Sequence, residues 1–302
     1  MKDLTIGIPY FNADKTIDRL LESIGDTRTL IVDDASAVPY EKADHRFEEN
    51  RGPAAARNWI LDNAKTEFVM FADADDKFVD GWEEMVERAL KDNPEADAIV
   101  FMYTSQRPDK SFDTDPYRQF HDKPFVFGNL YRKSTFDKLE IRFYEQLRYL
   151  EDNLFTDMVR RYHFVDQLKL VFHDANIYMH LFNEDGMTNG NPNQITMKAN
   201  INNTNLGRSI YFNDIIKKKR PIFGPLFRAA DMDCLFYMYM MSASMEHDPV
   251  VMRSYITALE QLYGDLTIPD ERVQQQLMNA QIQGLLQVPT IMFNEWLEQM
   301  KS

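Results

Sequence analysis

Strand-like and helix-like segments alternate through the first hundred residues, and that alternation limits the fold more than any other feature of the chain. Leu4–Pro9 (LTIGIP), Thr29–Val32 (TLIV), Glu67–Phe71 and Ala96–Phe101 are short apolar runs of strand length. Between them lie helical patterns. Asp14–Ile24 places Ile17, Leu20, Leu21 and Ile24 at helical spacing, Pro53–Ala64 carries proline in its first turn, and Trp82–Leu90 follows the third strand. Strands joined through helices imply right-handed crossovers and a mostly parallel sheet flanked by helices. Ligands of such sheets bind beyond the carboxyl ends of the strands. Three polar clusters fall there: Tyr10–Asn12, Asp33–Asp34 and Asp73–Asp76. One such cluster is unremarkable; three argue for a site.

The remainder divides in two. Between about Tyr103 and Asn205 the pattern is less regular, with candidate strands at Phe125–Tyr131 and Ile177–Leu181 and a helix across Glu151–Tyr162. Beyond it, Ile210–Lys219, Met232–Met245, Val250–Tyr263, Glu271–Leu286 and Thr290–Met300 are helix-like and are separated by proline and glycine. The expected organisation is an α/β domain over 1–205 followed by an all-helical region over 206–302.

Composition narrows the function. The formal net charge of −14, with no long basic run, disfavours a nucleic-acid partner. An acidic chain that handles phosphates needs a cation or a local basic group to offset its own field. The single cysteine, Cys234, fits a reducing, cytoplasmic setting. The opening MKDLTIGIPYFNADKT is too soon interrupted by polar residues to read as a signal peptide, and no run has the length of a membrane span. Peripheral contact with the inner face of a membrane stays open.

The segment FVMFADADDKF sets three aspartates within four positions at the end of an apolar strand. Carboxylates so close repel one another, and a hard divalent cation with oxygen ligands relieves that repulsion. A calcium loop of the EF-hand type is excluded, because Phe78 stands where its glycine is needed and a strand precedes it in place of a helix. The plainer readings are that Asp76 or Asp80 caps the following helix and that Asp33 and Asp34 form a tight turn. Likewise Glu151 and Asp152 suit the first turn of any helix, and a lone arginine or histidine suits a surface or a core.

Taken together and in order, IGIPYFN, LIVDDAS, NRGPAAARNWIL, FVMFADADD, GNLYRKSTF and YLEDNLF resemble the family-2 glycosyltransferases of the GT-A fold, over about the first 190 residues. The resemblance implies a nucleotide-sugar donor, commonly a UDP-sugar, a manganese or magnesium ion at the acidic D-x-D signature, and a carboxylate base for the acceptor hydroxyl. On this footing Asp75 is the metal ligand, Asp73 lies by the ribose or the metal's waters, and Asp76 supports the loop. Asp33 or Asp34, the latter preferred, contacts the base ring of the nucleotide, and Arg57 and Tyr10 stand on the donor side. Asp152 is the expected base of an inverting transfer, with Glu151 supporting it. His180 is a candidate to complete the metal shell. The polar run NEDGMTNGNPNQIT after it suits a flap over bound donor, in which Thr188 is a candidate diphosphate contact.

The acceptor expected from this resemblance is a hydroxyl of a glycan or surface polymer. Two other readings compete. A phosphatase of the haloacid dehalogenase type needs its aspartates after the first strand, which here ends in Pro9 and Tyr10. A degenerate transferase that binds glycan or a partner needs no intact acidic set, yet all the acidic positions are filled. The helical tail lies outside the resemblance; pairing of two copies through it is one expectation, and Leu285–Met300, with Trp296, has an amphipathic pattern suited to a packed face.

Overall fold

The computed structural model describes residues 1–113, 125–147, 151–183, 197–242, 247–269, 271–274 and 291–302. The chain forms two compact units, Met1–Gly190 and Asn191–Ser302. The expected boundary at 205/206 would cut a continuous helix, Met197–Lys217, so the break falls ahead of that helix.

In the first unit the elements run β1 (Leu4–Tyr10), α1 (Ile17–Ile24), β2 (Thr29–Asp33), β3 (His45–Arg46), α2 (Pro53–Asn63), β4 (Phe68–Phe71), β5 (Lys77–Phe78) and α3 (Trp82–Asp92). They continue with β6 (Ala98–Gln106), β7 (Phe112–Asp113), β8 (Leu130–Arg132), α4 (Lys133–Lys138), α5 (Glu151–Phe164) and β9 (Leu170–His180). One sheet takes the order β3-β2-β1-β4-β8-β6-β9-β5, with β7 paired to β6. β1 to β4 are mutually parallel, as the alternation requires. Leu4, Ile6 and Ile8 of β1 and all of β4 are buried, as expected of strands covered on both faces.

The middle of the sheet departs from simple alternation. β8 lies antiparallel between β4 and β6, so the sheet is mixed, while β6 and β9 resume the common direction. Of the expected strand Phe125–Tyr131 only the end is extended, because Gly128 turns the chain with φ +63°. A Cβ at Gly128 would lie 3.0 Å from the Cβ of Tyr178. Gly128→Ala is therefore expected to cost about 1–3 kcal/mol, from the left-handed backbone and the contact together, and to lower the thermal midpoint accordingly. The candidate strand at Ile177–Leu181 is the end of the longer β9, whose earlier residues alternate between covered and open faces.

The second unit is helical where described: α6 (Met197–Lys217), α7 (Pro225–Met241), α8 (Pro249–Tyr263) and α9 (Phe293–Lys301). α6 begins well before the expected Ile210. It packs on α8 through stacked Phe212 and Tyr255 rings, 5.7 Å apart, and a 2.8 Å bond from Ser209 Oγ to Ser254 Oγ. Phe293, Trp296 and Leu297 of α9 are buried, so the apolar stripe of this helix is a packed face. Among the described residues no helix is long and apolar enough to cross a membrane.

Candidate active site

Helix α2 is the keystone of the site, and its composition explains its position. Ala54, Ala55 and Ala56 are small and buried, which lets the helix approach β1 so closely that a Cβ on Gly7 would come within 2.5 Å of Ile60. The approach carries two polar residues inward. Arg57 and Asn58, 6% and 8% exposed, sit on the buried side of the helix. The start of α2 is fixed by Asp34, whose carboxylate accepts the backbone N–H groups of Arg51 at 2.7 Å and Gly52 at 2.8 Å.

Arg57 joins the two acidic centres. Its Nη1 donates to Glu151 Oε1 at 2.6 Å and its Nη2 to Asp73 Oδ1 at 3.0 Å, while its guanidinium lies over the Phe143 ring. Asp73 follows β4 and Glu151 opens α5, so a single buried fork connects the D-x-D loop to the acidic pair. Asn58 supports the same arrangement. Its amide pairs with both backbone groups of Phe143, each at 2.9 Å, and donates to Glu145, which also receives Arg51 at 2.7 Å.

Next to Glu151, Asp152 is half-buried and accepts the Asn153 N–H at 2.8 Å. Burial, and then the charge of Glu151, push its carboxyl up to about 7 from the ordinary aspartate value, with Arg57 working the other way. A carboxylate of that basicity accepts a proton near neutral pH far more readily than an ordinary one.

The D-x-D loop is held from behind by β9. Tyr178, fully buried, accepts the Asp73 N–H at 2.9 Å through its hydroxyl, and Asp76 Oδ1 accepts the Leu181 N–H at 2.8 Å. Asp75 Oδ2 accepts from Asn183 at 3.0 Å, and its backbone carbonyl accepts from Arg19. Burial and the neighbouring Asp73 hold the Asp75 carboxyl above its usual range. His180 comes near enough to act on Asp75 electrostatically. Its Nδ1 meets Ser105 Oγ at 3.1 Å and its ring stacks on Phe127 at 5.4 Å, which leaves Nε2 for a further partner.

Among the described residues no three acidic, histidine or cysteine side chains already converge as a metal cage. The donor set nevertheless fits a hard cation that draws other ligands from a bound diphosphate and water. Asp76 Oδ2 is buried without a hydrogen-bond partner, and the neighbouring Asp73 adds to the cost of ionising Asp75. Asp73, Asp75 and His180 are the residues that would hold it.

Three expected donor contacts sit differently from their sequence reading. Asp33 is fully buried and spent on its own turn, accepting from Ser36 N at 2.8 Å, Tyr40 N at 3.1 Å and the Arg46 guanidinium. Burial works against its charge, but those donors outweigh it and the carboxyl lies below its usual range. Tyr10 is 2% exposed and stacks on Tyr40 at 4.5 Å, so its ring belongs to the core. Arg57, expected on the donor side, is committed to two carboxylates. Thr188 lies outside the described residues.

Sequence reasoning passed over Asn58, Ser105, Tyr178 and Asn183. Asn58 stands beside Arg57 in the ARN segment and was within reach. Ser105 meets His180 only because the two are register partners across β6 and β9.

Comparison with known proteins follows the same lines. Residues 5–144 match the model of the Glycosyl transferase family 2. EpsH of Bacillus subtilis, a glycosyltransferase by name, is 27% identical over 184 residues, which is 49% of this chain and 53% of that protein. The pre-mycofactocin glycosyltransferase of Mycobacterium tuberculosis is 37% identical over 91 residues, 27% of this chain and 19% of that protein. The chain thus spans about half or less of the length of these relatives. Among solved structures, residues 1–349 of Staphylococcus aureus TarS with UDP-GlcNAc superpose with a TM-score of 0.64 at 16% identity, covering 99% of this chain and 88% of that one. The Pyrobaculum calidifontis mannosyltransferase PcManGT with GDP-Man and Mn2+ superposes at 0.53 and 16% identity, covering 99% and 84%. With the acidic strand ends, the mixed sheet and the family match in agreement, residues 5–144 of this chain form a Glycosyl transferase family 2 domain.

Proposed function

We propose that the chain transfers a sugar from a nucleotide-sugar donor, a UDP-sugar being the leading candidate, to a hydroxyl of a glycan or surface-polymer acceptor, with inversion and with a divalent cation. The observation that carries this reading is the Arg57 fork, which places the D-x-D aspartate and the Glu151–Asp152 pair in one cluster. Leaving-group and nucleophile chemistry need opposite ends of one site, and this cluster supplies both. UDP-GlcNAc bound to TarS and GDP-Man with Mn2+ bound to PcManGT support the donor class and the metal.

A cation held by Asp73, Asp75 and His180 would neutralise charge on the departing diphosphate. Asp152 takes the proton of the acceptor hydroxyl as its oxygen attacks the anomeric carbon. Glu151, fixed by Arg57, raises the basicity of Asp152. Asp33 and Asp34 shape the wall on which the nucleotide lies, through the turn at 33–40 and the start of α2.

The test is turnover of a nucleotide-sugar panel with Mn2+, followed by release of nucleoside diphosphate. Asp75→Ala is expected to weaken Mn2+ binding by at least about tenfold, read by electron paramagnetic resonance, and to stop donor turnover. No donor binding across the panel by calorimetry would overturn the proposal.

A further inference from the structure

The helical unit carries a surface that transfer chemistry does not use. At the end of α6 the chain reads KKKRPIFGPLF, from Lys217 to Phe227. Lys217, Lys218 and Lys219 are exposed, in a chain whose net charge is −14. Phe223 and Leu226, 41% and 66% exposed, stand within the next seven residues.

The plain reading of the lysines is a helix C-terminus, where cations complement the dipole. It is part of the account, since Lys219 adopts the left-handed conformation that ends α6, with φ +51°. It leaves the two exposed apolar side chains unexplained, and these are held outward by construction. Arg220, 5% exposed, donates to Asp214 at 2.8 Å, while Ile222 and Phe227 are buried. With those three anchored inward, the residues between them must face out. The Phe227 N–H closes the turn on the Gly224 carbonyl at 2.9 Å.

Charge decides what such a tip meets. Asp214 is paired with Arg220 and lies 3.5 Å from Lys218, and Asp265 at the same end sits by Arg228, whose guanidinium donates to the Asp265 carbonyl. The patch is therefore locally basic. At physiological ionic strength charges more than about 8 Å away are largely screened, so the acidic remainder of the chain does not cancel it at contact. Anionic lipid headgroups attract clustered lysines, and aromatic and leucine side chains enter the zone just below them. An anionic polymer would use the lysines alone and would bury neither Phe223 nor Leu226.

We propose that the α6–α7 turn is a membrane-docking tip, in which Lys217, Lys218 and Lys219 meet anionic lipid headgroups while Phe223 and Leu226 insert at the interface. It seats the chain on a membrane surface, and it stands whether or not the transfer reading holds.

The full chain is sedimented with vesicles of phosphatidylcholine alone and with about 30 mol% phosphatidylglycerol added. Binding is expected only to the anionic vesicles, and is expected to fall at least about tenfold in about 0.5 M NaCl and in Lys217→Glu/Lys219→Glu. Phe223→Ser/Leu226→Ser is expected to reduce binding by a similar factor with the circular dichroism spectrum unchanged, because both side chains are exposed. Absence of binding to anionic vesicles, or binding that neither variant reduces, would overturn the proposal. Binding that needs the lysines but not Phe223 and Leu226, and that polyphosphate competes away, would assign the patch to an anionic polymer instead.

Discussion

Asp152→Asn is expected to lower kcat by roughly 10²–10⁴-fold, the usual contribution of a positioned general base, while calorimetric donor binding stays near the parent value. The amide fills the same space and keeps the oxygen that accepts from Asn153, so the fold is retained. The parent protein should show why. A base works only when deprotonated, and the folded-state carboxyl of Asp152 is pushed up to about 7 by burial and by Glu151. Activity is therefore full above that value and is lost as the pH falls through it, one proton being taken up. An acid limb near the ordinary aspartate range, or substantial turnover in the amide variant, would remove Asp152 from the role.

Arg57 carries the second large effect, and two substitutions separate its roles. Arg57→Ala leaves Glu151, 5% exposed, as an unpaired buried charge, and breaking such a pair from one side costs about 3–5 kcal/mol. The thermal midpoint is expected to fall steeply. Arg57→Lys keeps the charge but presents one ammonium in place of a two-pronged fork, so it holds Asp73 or Glu151 but not both. The lysine variant is expected to fold, to bind donor, and to lose at least about tenfold in kcat, because the D-x-D loop and the acidic pair are no longer fixed to each other. The guanidinium also lowers the proton affinity of Asp152, so in any folded variant without the positive charge the acid limb moves to higher pH. A variant with unchanged kcat and pH profile would reduce Arg57 to a packing role.

The parallel half of the sheet was legible in sequence because β1, β2 and β4 are apolar, short and separated by helices with clear periodicity. β8 was not. Three residues long, it is placed between β4 and β6 by pairing on both sides, and Gly128 turns the chain just before it. β3 and β5 have two residues each and no period to read. In the second unit the start of α6 was missed because KANINNTN carries no apolar stripe, and the helix is fixed by packing further along.

The site shows the same division. The acidic strand ends and the Glu151–Asp152 pair are legible as residue types at strand ends and at a helix start. Which of them bond to the protein itself was decided by packing. Asp33 was available from the sequence as a turn residue or a nucleotide contact, and its buried bonds to Ser36, Tyr40 and Arg46 match the turn. Arg57 is expected on the donor side because an acidic chain needs a cation to receive phosphates. The alanines beside it draw α2 onto β1 and turn that cation between two carboxylates instead. Burial of this kind depends on which helix covers which strand, and no local pattern encodes it.

The central claim is that the D-x-D loop and Asp152 serve one bound donor from its two ends. A structure of the chain with an intact nucleotide sugar and Mn2+ tests it most directly. The expected result is the diphosphate and ion against Asp73 and Asp75, with the anomeric carbon between the diphosphate and Asp152. A donor bound with Asp152 on the same side as the leaving group, or bound away from Asp73 and Asp75 altogether, would contradict it.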